Sequence, residues 1–165
     1  MEIMYVGQEF DGLLNFLRNK ATIQDEINIS CSSLSHGVLE TIYQFEDKES
    51  SCWTNNSPNS WVCFEFKRHE IIPKHYTIRT YRHGVNGTHL KSWILEGSRD
   101  QNSWAILDEE NDCSYLNGAN FIHTFRIQNE SNKSFKYLRI RQTGAAWNNT
   151  HYFRINCIEF YGQLI

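Results

Sequence analysis

Seven histidines, five cysteines and one acidic run are the side chains of this 165-residue sequence that could do chemistry. The histidines stand far apart and form neither an H-x-H nor an H-E-x-x-H pair, the spacings typical of transition-metal sites. The acidic run, Asp108 to Glu110 with Asp112, has the composition of a solvated turn rather than of paired catalytic acids. We therefore predict no metal site and no cofactor.

Nucleophilic catalysis has no motif to support it. The sequence contains no G-x-S-x-G elbow, no Gly-rich phosphate loop and no cysteine within a catalytic signature. An enzyme would also need titratable groups that converge in a cleft, and no spacing in the sequence indicates such a pair. We predict that the chain is not an enzyme.

The cysteines and the N-terminal residues bear on the compartment. The cysteines are odd in number, include no C-x-x-C pair, and so favour reduced thiols in a cytosolic protein. The first ten residues contain neither a basic region nor an apolar run of a secretory signal, and we predict a cytoplasmic chain. Six N-x-S/T sequons favour the alternative of a secreted protein. They begin at Asn28, Asn55, Asn86, Asn129, Asn132 and Asn148.

The composition is that of a folded domain, with 40% hydrophobic and 21% charged residues, five Trp, eight Tyr and ten Phe. The formal charge is −3, and the lysines and arginines form no cluster. A nucleic-acid duplex or an anionic membrane needs a concentrated basic face, so we predict neither as a partner. A protein or a glycan is the expected partner, and the oligomeric state stays open.

Hydrophobic periodicity divides the chain into a helical lead-in, residues 1–25, and a β domain, residues 26–165. Phe10, Leu13, Leu14 and Leu17 follow the i, i+3, i+4, i+7 spacing of a short amphipathic helix. From residue 27 onward, short apolar runs of period two alternate with loops rich in Ser, Asn and Gly, which predicts an all-β antiparallel sandwich. The predicted strands cover residues 27–33, 61–66, 76–81, 92–97, 104–107, 121–127, 135–142 and 152–161.

Three predicted loops, residues 51–57, 81–89 and 144–151, combine aromatic rings with amide or guanidinium donors. Rings supply flat apolar area and the donors supply directed hydrogen bonds, a mixture that suits a sugar or a peptide interface. Four tryptophans are assigned to the core of the sandwich, where such residues usually pack: Trp53, Trp61, Trp93 and Trp104. Trp147 lies in a loop, and its assignment to core or binding surface stays open.

Eight short motifs follow one another in a defined order along the sequence. They are SS (32–33), CWT (52–54), WVCFEF (61–66), IPKHYTI (72–78), LKSWILEGS (90–98), DQNSW (100–104), YLRI (137–140) and IEFYG (158–162). Together they resemble the coagulation factor V/VIII type C (discoidin) domain over roughly residues 27–162, and are most similar to the intracellular discoidin-like domains that accompany BTB/POZ proteins. The resemblance implies an eight-stranded, galactose-binding-like jelly roll that binds a ligand and has no chemistry of its own.

The resemblance also implies a ligand site in loops at one end of the barrel. Its residues would be Arg82, His83, Asn86, Trp147, Asn148 and His151. An arginine there would donate a planar pair of N–H groups to vicinal hydroxyls or to a carboxylate. Cys157 occupies the position where many relatives close a structural calcium site with a carboxylate, and a soft thiol is a poor ligand for that hard cation. The resemblance therefore adds no metal, and the sequence also lacks the aliphatic spikes of the membrane-binding relatives.

We therefore predict a non-catalytic ligand-recognition module, acting as an intracellular adaptor, that binds a protein segment or a small polar ligand through its barrel-end loops. The alternative is a galactose-like carbohydrate-binding lectin module of a surface or secreted protein.

Overall fold

The computed structural model describes residues 1–20 and 22–165, and within them the chain forms twelve strands, two α-helices and two 3-10 helices. The α-helices are α1 (Leu13–Lys20) and α2 (Ile23–Glu26), and the 3-10 helices are Leu39–Tyr43 and Ser114–Leu116. The strands are β1 (Glu2–Ile3), β2 (Ile27–Cys31), β3 (Leu34–His36), β4 (Cys52–Thr54), β5 (Trp61–Phe66), β6 (Ile71–Arg79), β7 (Trp93–Ser98), β8 (Ala105–Glu110), β9 (Ile122–Arg126), β10 (Tyr137–Gln142), β11 (Arg154–Ile155) and β12 (Cys157–Leu164).

Two larger sheets enclose the core, and every strand pairing in them is antiparallel. One has the order β2-β5-β10-β7-β8 and the other β1-β12-β6-β9, while β11-β4-β3 form a smaller third sheet. On β5 the inward side chains Val62, Phe64 and Phe66 are buried, and the ring of Phe64 meets that of Phe160 on β12 edge-on at 5.2 Å. The predicted all-β antiparallel jelly-roll sandwich with a short N-terminal helix is confirmed.

The strand predicted over residues 152–161 is two strands, because Asn156 turns the chain from the small sheet to a large one. Its Oδ1 accepts the Nε–H of Arg79 at 2.7 Å. Its Nδ2 donates to the carbonyl oxygens of Asp47 and Ser50 at 2.9 and 2.8 Å. This fully buried amide therefore ties the loop after Leu39–Tyr43 to the end of the sandwich.

The lead-in helix packs into the same hydrophobic core as the strands. Leu13, Leu14 and Leu17 are fully buried there, which the helical spacing predicted. Glu159 on β12 accepts hydrogen bonds from backbone N–H groups at the start of α1. The boundary between the lead-in and the β domain stays a prediction, and one residue of the lead-in, residue 21, lies outside the described residues.

The tryptophans differ from their predicted assignment. Trp93 is fully buried, as predicted, but Trp53, Trp61 and Trp104 are only half-buried, so the core assignment of these three is wrong. Each of the three has an arginine guanidinium against its ring. That of Arg139, for example, lies 3.8 Å from the ring centroid of Trp104. These rings therefore cover cations at the surface.

The acidic run also differs from its predicted role, because Asp108 is 1% exposed rather than solvated. Its Oδ2 accepts the hydroxyl of Tyr76 at 2.6 Å, and that hydroxyl accepts the indole N–H of Trp93 at 3.0 Å. Burial raises the pKa of the Asp108 carboxyl above its ordinary value. The three side chains form one buried polar chain inside an apolar core.

Replacing Tyr76 by phenylalanine is expected to lower the free energy of unfolding by about 2 kcal/mol, because a buried carboxylate oxygen and an indole N–H both lose their partner. Urea denaturation followed by fluorescence measures this change. Tyr115→Phe is the matched control, since that side chain is 63% exposed, and its stability should match the wild type. Equal stabilities of the two variants would contradict the expectation.

Candidate ligand-binding site

The two loops predicted to form the site meet at one end of the sandwich. One connects β6 to β7 and the other connects β10 to β11. The backbone N–H of Trp147 donates to the carbonyl oxygen of His89 at 3.2 Å, and Asn148 Nδ2 donates to Thr88 Oγ1 at 2.8 Å. The structure therefore joins the loops, through residues 88 and 89 of the first.

Hydrogen bonds within the loop and to Asn117 hold the β6–β7 loop in one conformation. The His89 ring is buried, and its Nε2 lies 2.7 and 3.0 Å from the carbonyl oxygens of His83 and Gly84. Because carbonyl oxygens can only accept hydrogen bonds, Nε2 of the His89 ring must carry a proton. Asn86 has a left-handed backbone, with φ of 60°, and exchanges two hydrogen bonds with Asn117. A loop held in this way is preorganised for binding.

Arg82 and His83 lie where the β6–β7 loop begins, beside Tyr81. The exposed guanidinium of Arg82 pairs with Glu49 at 2.9 Å, and the ring of His83 meets that of Tyr81 edge-on at 5.0 Å. Burial, followed by the charges of Arg154, His89 and Arg82, lowers the pKa of His83. His83 is therefore an uncharged donor or acceptor near neutral pH.

The three residues predicted on the second loop have different partners. The indole N–H of Trp147 donates to the carbonyl oxygen of Cys113 at 3.3 Å, and the ammonium of Lys91 lies 4.7 Å from its ring centroid. The backbone N–H of His151 donates to Asn56 Oδ1 at 2.7 Å. Trp147, Asn148 and His151 thus bond to Cys113, Thr88 and Asn56, whereas Arg82 and His83 contact Glu49 and Tyr81.

A groove of about 400 Å³ opens beside Tyr81, between the β6–β7 loop and the small sheet. It is lined by His36, Gly37, Val38, Thr41, Glu49, Ser50, Ser51, Trp53, Tyr81 and Arg154. The guanidinium of Arg154 lies 3.8 Å from the ring centroid of Tyr81 and 4.0 Å from that of Trp53, and its Nε–H donates to Ser51 Oγ at 2.9 Å. His36 also stacks on Trp53, at 4.2 Å.

Sequence reasoning missed Arg154, which the structure makes the best-positioned cation of this groove. Ser51 stands 103 residues before it in the chain, and Trp53 and Tyr81 are also distant in sequence. No local spacing reports such a cluster. The one available signal was the aromatic content of the 51–57 and 81–89 loops, which pointed to the partners and not to the arginine.

A second, larger groove of about 490 Å³ lies at the opposite end of β7, lined in part by Arg99, Trp104 and Lys133. Its arginine is already engaged, because Arg99 donates to the carbonyl and hydroxyl oxygens of Ser134 and pairs with Glu70. Size alone would favour this groove, but the half-buried and unpaired cation lies in the other one. We therefore place the candidate site beside Arg154.

Residues 1–20 and 22–165 offer neither a metal-ligand cluster nor a membrane-spanning helix. They contain no cluster of three or more His, Cys, Asp or Glu side chains placed to hold a metal ion. None of their helices has the length and apolar character needed to cross a bilayer.

Comparison with known proteins agrees with this architecture. The family described as Sad1 / UNC-like C-terminal matches residues 33–164. The chain is 28% identical to the E3 ubiquitin-protein ligase Ufd4 of Drosophila melanogaster and 25% identical to the E3 ubiquitin-protein ligase hecd-1 of Caenorhabditis elegans. These alignments cover 94% and 89% of the chain but only 6% of each relative.

Solved structures of carbohydrate-binding modules share the fold. The module CBM32-3 from a family 31 glycoside hydrolase of Clostridium perfringens superposes with a TM-score of 0.66 and 13% identity, covering 84% of this chain and 92% of that one. The lectin domain of Lectinolysin, complexed with Lewis B antigen, gives 0.65 and 13%, covering 87% and 98%. The galactose-binding-like fold implied by the discoidin resemblance is therefore confirmed.

Proposed function

Because the chain belongs to the Sad1/UNC-like C-terminal family, whose fold it shares with ligand-binding modules, we propose that it is a non-catalytic module that binds a protein segment. The relatives in which it spans 6% of the length are named as E3 ubiquitin-protein ligases. We infer from these names that the module holds another protein for such a ligase, as an intracellular adaptor.

The observation that carries the proposal is the groove beside Arg154. Trp, Tyr and Arg are the residue types that dominate the binding energy of protein interfaces, and Trp53, Tyr81 and Arg154 meet there in one stacked cluster. The cluster is already ordered, so binding loses little side-chain entropy. A groove of about 400 Å³ accommodates a few side chains of a bound segment.

The six residues named from the sequence take two roles in this proposal. Arg82 and His83 stand at the edge of the groove and contact the bound segment. Trp147 and Asn148 join the two loops through His89 and Thr88, and Asn86 and His151 tie each loop to a neighbouring segment through Asn117 and Asn56. The first pair therefore affects affinity directly, and the other four act through loop position.

Arg82→Ala is expected to weaken binding about tenfold, because it removes a charged donor from the edge of the groove. The probe is a peptide selected from a random-peptide display library on the wild-type protein, and calorimetry measures its affinity. Arg126→Ala is the matched control, since Arg126 also pairs with an exposed glutamate, Glu130, but lies at the far end of β9. Failure to select any peptide, or equal affinities for wild type and Arg82→Ala, would contradict the proposal.

A second candidate function is carbohydrate binding, which the structural relatives favour. The Lectinolysin lectin domain carries its glycan on this same fold, and all six sequon asparagines of this chain are exposed, as a secreted glycoprotein requires. A glycan array distinguishes the candidates. A glycan that binds the wild type and loses affinity with Arg82→Ala supports the lectin reading, whereas an array without binders rejects it.

A further inference from the structure

Arg154 carries a charge that the protein does not neutralise. Among the described residues no carboxylate oxygen lies within 4.0 Å of its guanidinium, whereas Arg18, Arg82, Arg139 and Arg141 each have one. Arg154 is also half-buried, so part of its hydration is lost. A half-buried guanidinium without a counter-ion is unfavourable by itself, and a bound anion would recover that loss.

The guanidinium is held in one orientation. The rings of Trp53 and Tyr81 lie 4.0 and 3.8 Å from its central carbon, and Ser51 Oγ accepts its Nε–H. Stacking on two rings fixes the plane, and the Ser51 bond fixes the rotation within that plane. A planar fork of N–H groups held in this way matches the two oxygens of a carboxylate.

The remaining charges around the groove do not oppose an anion. Glu49 also lines it, but its carboxylate is paired with Arg82 at 2.9 Å. His36 and His83 add ring nitrogens near the two stacked rings. The positive charge of Arg154 is therefore the one left unbalanced in the groove.

We propose that the groove beside Arg154 binds its ligand through a carboxylate group, which pairs with the stacked guanidinium. The inference rests on the proposed function, since it names the chemistry that this binding surface recognises. A carboxylate can come from an acidic side chain of a peptide or from an acidic sugar. The two sources share the contact with Arg154 and differ in what surrounds the carboxylate.

The test follows the indole N–H resonance of Trp53, whose ring stacks on Arg154 and which every Arg154 variant retains, by NMR during titration with small probes. Sodium acetate tests the bare group, D-glucuronate against D-glucose tests the sugar source, and acetyl-Gly-Asp-Gly-amide against acetyl-Gly-Asn-Gly-amide tests the peptide source. Each carboxylate should shift the resonance saturably, and the better source should bind at least about tenfold more tightly than its neutral partner. Equal binding of neutral and charged partners would overturn the inference.

Variants separate a specific site from general charge attraction. Arg154→Met should abolish saturable binding, and Arg154→Lys should weaken it because a point charge cannot form the bidentate pair. Arg99→Met, which alters an arginine of the second groove, should leave binding unchanged. If Arg154→Met does not fold, Ser51→Ala keeps the charge, removes the Nε anchor and should still weaken binding. Wild-type affinity in both Arg154→Lys and Ser51→Ala would overturn the inference.

The outcomes also separate this inference from the proposed function. Acetate that binds at Arg154, with no peptide selected from the display library, supports the carboxylate site and rejects the protein-binding role. A selected peptide whose affinity depends neither on its acidic residues nor on Arg154 rejects the carboxylate site and leaves the protein-binding role in place.

Discussion

Glu159→Ala should lower the free energy of unfolding by about 3 kcal/mol, because three N–H groups at the start of α1 lose their acceptor inside the protein. The Glu159 carboxyl group is fully buried and accepts the backbone N–H groups of Gly12, Leu14 and Asn15 at 3.1, 2.8 and 3.0 Å. Without it, the helix that buries three leucines in the core has no partner for its N-terminal donors. Chemical denaturation at about pH 6 measures the change.

Two variants serve as controls for this result. Glu159→Gln keeps the volume and one acceptor oxygen but turns an NH₂ group toward N–H donors, so its stability should lie between those of wild type and Glu159→Ala. Asp11→Ala should have little effect, because the Asp11 carboxylate accepts the exposed side-chain amide of Asn15 rather than the helix backbone. A Glu159→Ala protein as stable as Asp11→Ala would contradict the capping role.

The stability difference between wild type and Glu159→Gln should change with pH in a direction that the pKa of Glu159 determines. Burial raises the pKa of Glu159 to about 7, although four backbone N–H groups oppose this. The folded-state pKa thus lies above the unfolded-state value of about 4.3. The folded chain therefore binds the Glu159 proton more tightly than the unfolded chain does, and this difference stabilises the fold. The contribution is fully present below the pKa of the unfolded chain and is lost as the pH rises through the pKa of the folded chain. The stability difference between wild type and Glu159→Gln should shrink between about pH 5 and pH 8. A difference that grows over this interval would contradict the raised pKa.

Gly162→Ala should destabilise the protein by about 3 kcal/mol or more, because a Cβ at this position has no space. It would lie 2.1 Å from the carbonyl oxygen of Ile72 and 3.0 Å from the Cα of Pro73, and the residue has a φ of +149°. Both obstacles are backbone atoms of β6, so no side-chain rotation relieves them. Thermal unfolding followed by circular dichroism measures the loss.

Gly144→Ala is the matched control for this substitution. A Cβ there would meet only the side chain of Ser92, at 3.6 Å, which is an ordinary contact. Its melting temperature should stay within a few degrees of the wild type. If Gly162→Ala melted at the same temperature as Gly144→Ala, the close approach of β12 to β6 would not be a constraint.

The bulge at Gly162 also explains why the strand opposite it was predicted too short. The sequence indicated a strand over residues 76–81, whereas β6 starts at Ile71 and passes through Pro73. Proline has no N–H to donate to a sheet and is tolerated at bulges. The register between β6 and β12 shifts between Tyr161 and Gly162, where Gly162 pairs with Pro73. The long strand depends on a partner that is distant in sequence.

The candidate site was predictable only in part. The discoidin resemblance implied that the 81–89 and 144–151 loops belong to one site, and the bonds from Trp147 to His89 and from Asn148 to Thr88 join them. The direct binding role of the six residues stays a prediction. Arg154 could not be found, because stacking between a guanidinium and two rings leaves no trace in the local pattern.

The sequence by itself determined the alternation of apolar and polar residues, and with it the strand identity of segments such as Trp61–Phe66 and the inward face of each. That information is local, since neighbouring side chains of a strand point to opposite faces. Only the tertiary structure decided which outward-facing rings stay at the surface and which groups receive partners. Trp53 stacks on Arg154 and Glu159 caps α1 because the sandwich brings together residues about 100 or more positions apart, at distances where hydrogen bonds and ring–cation attraction act.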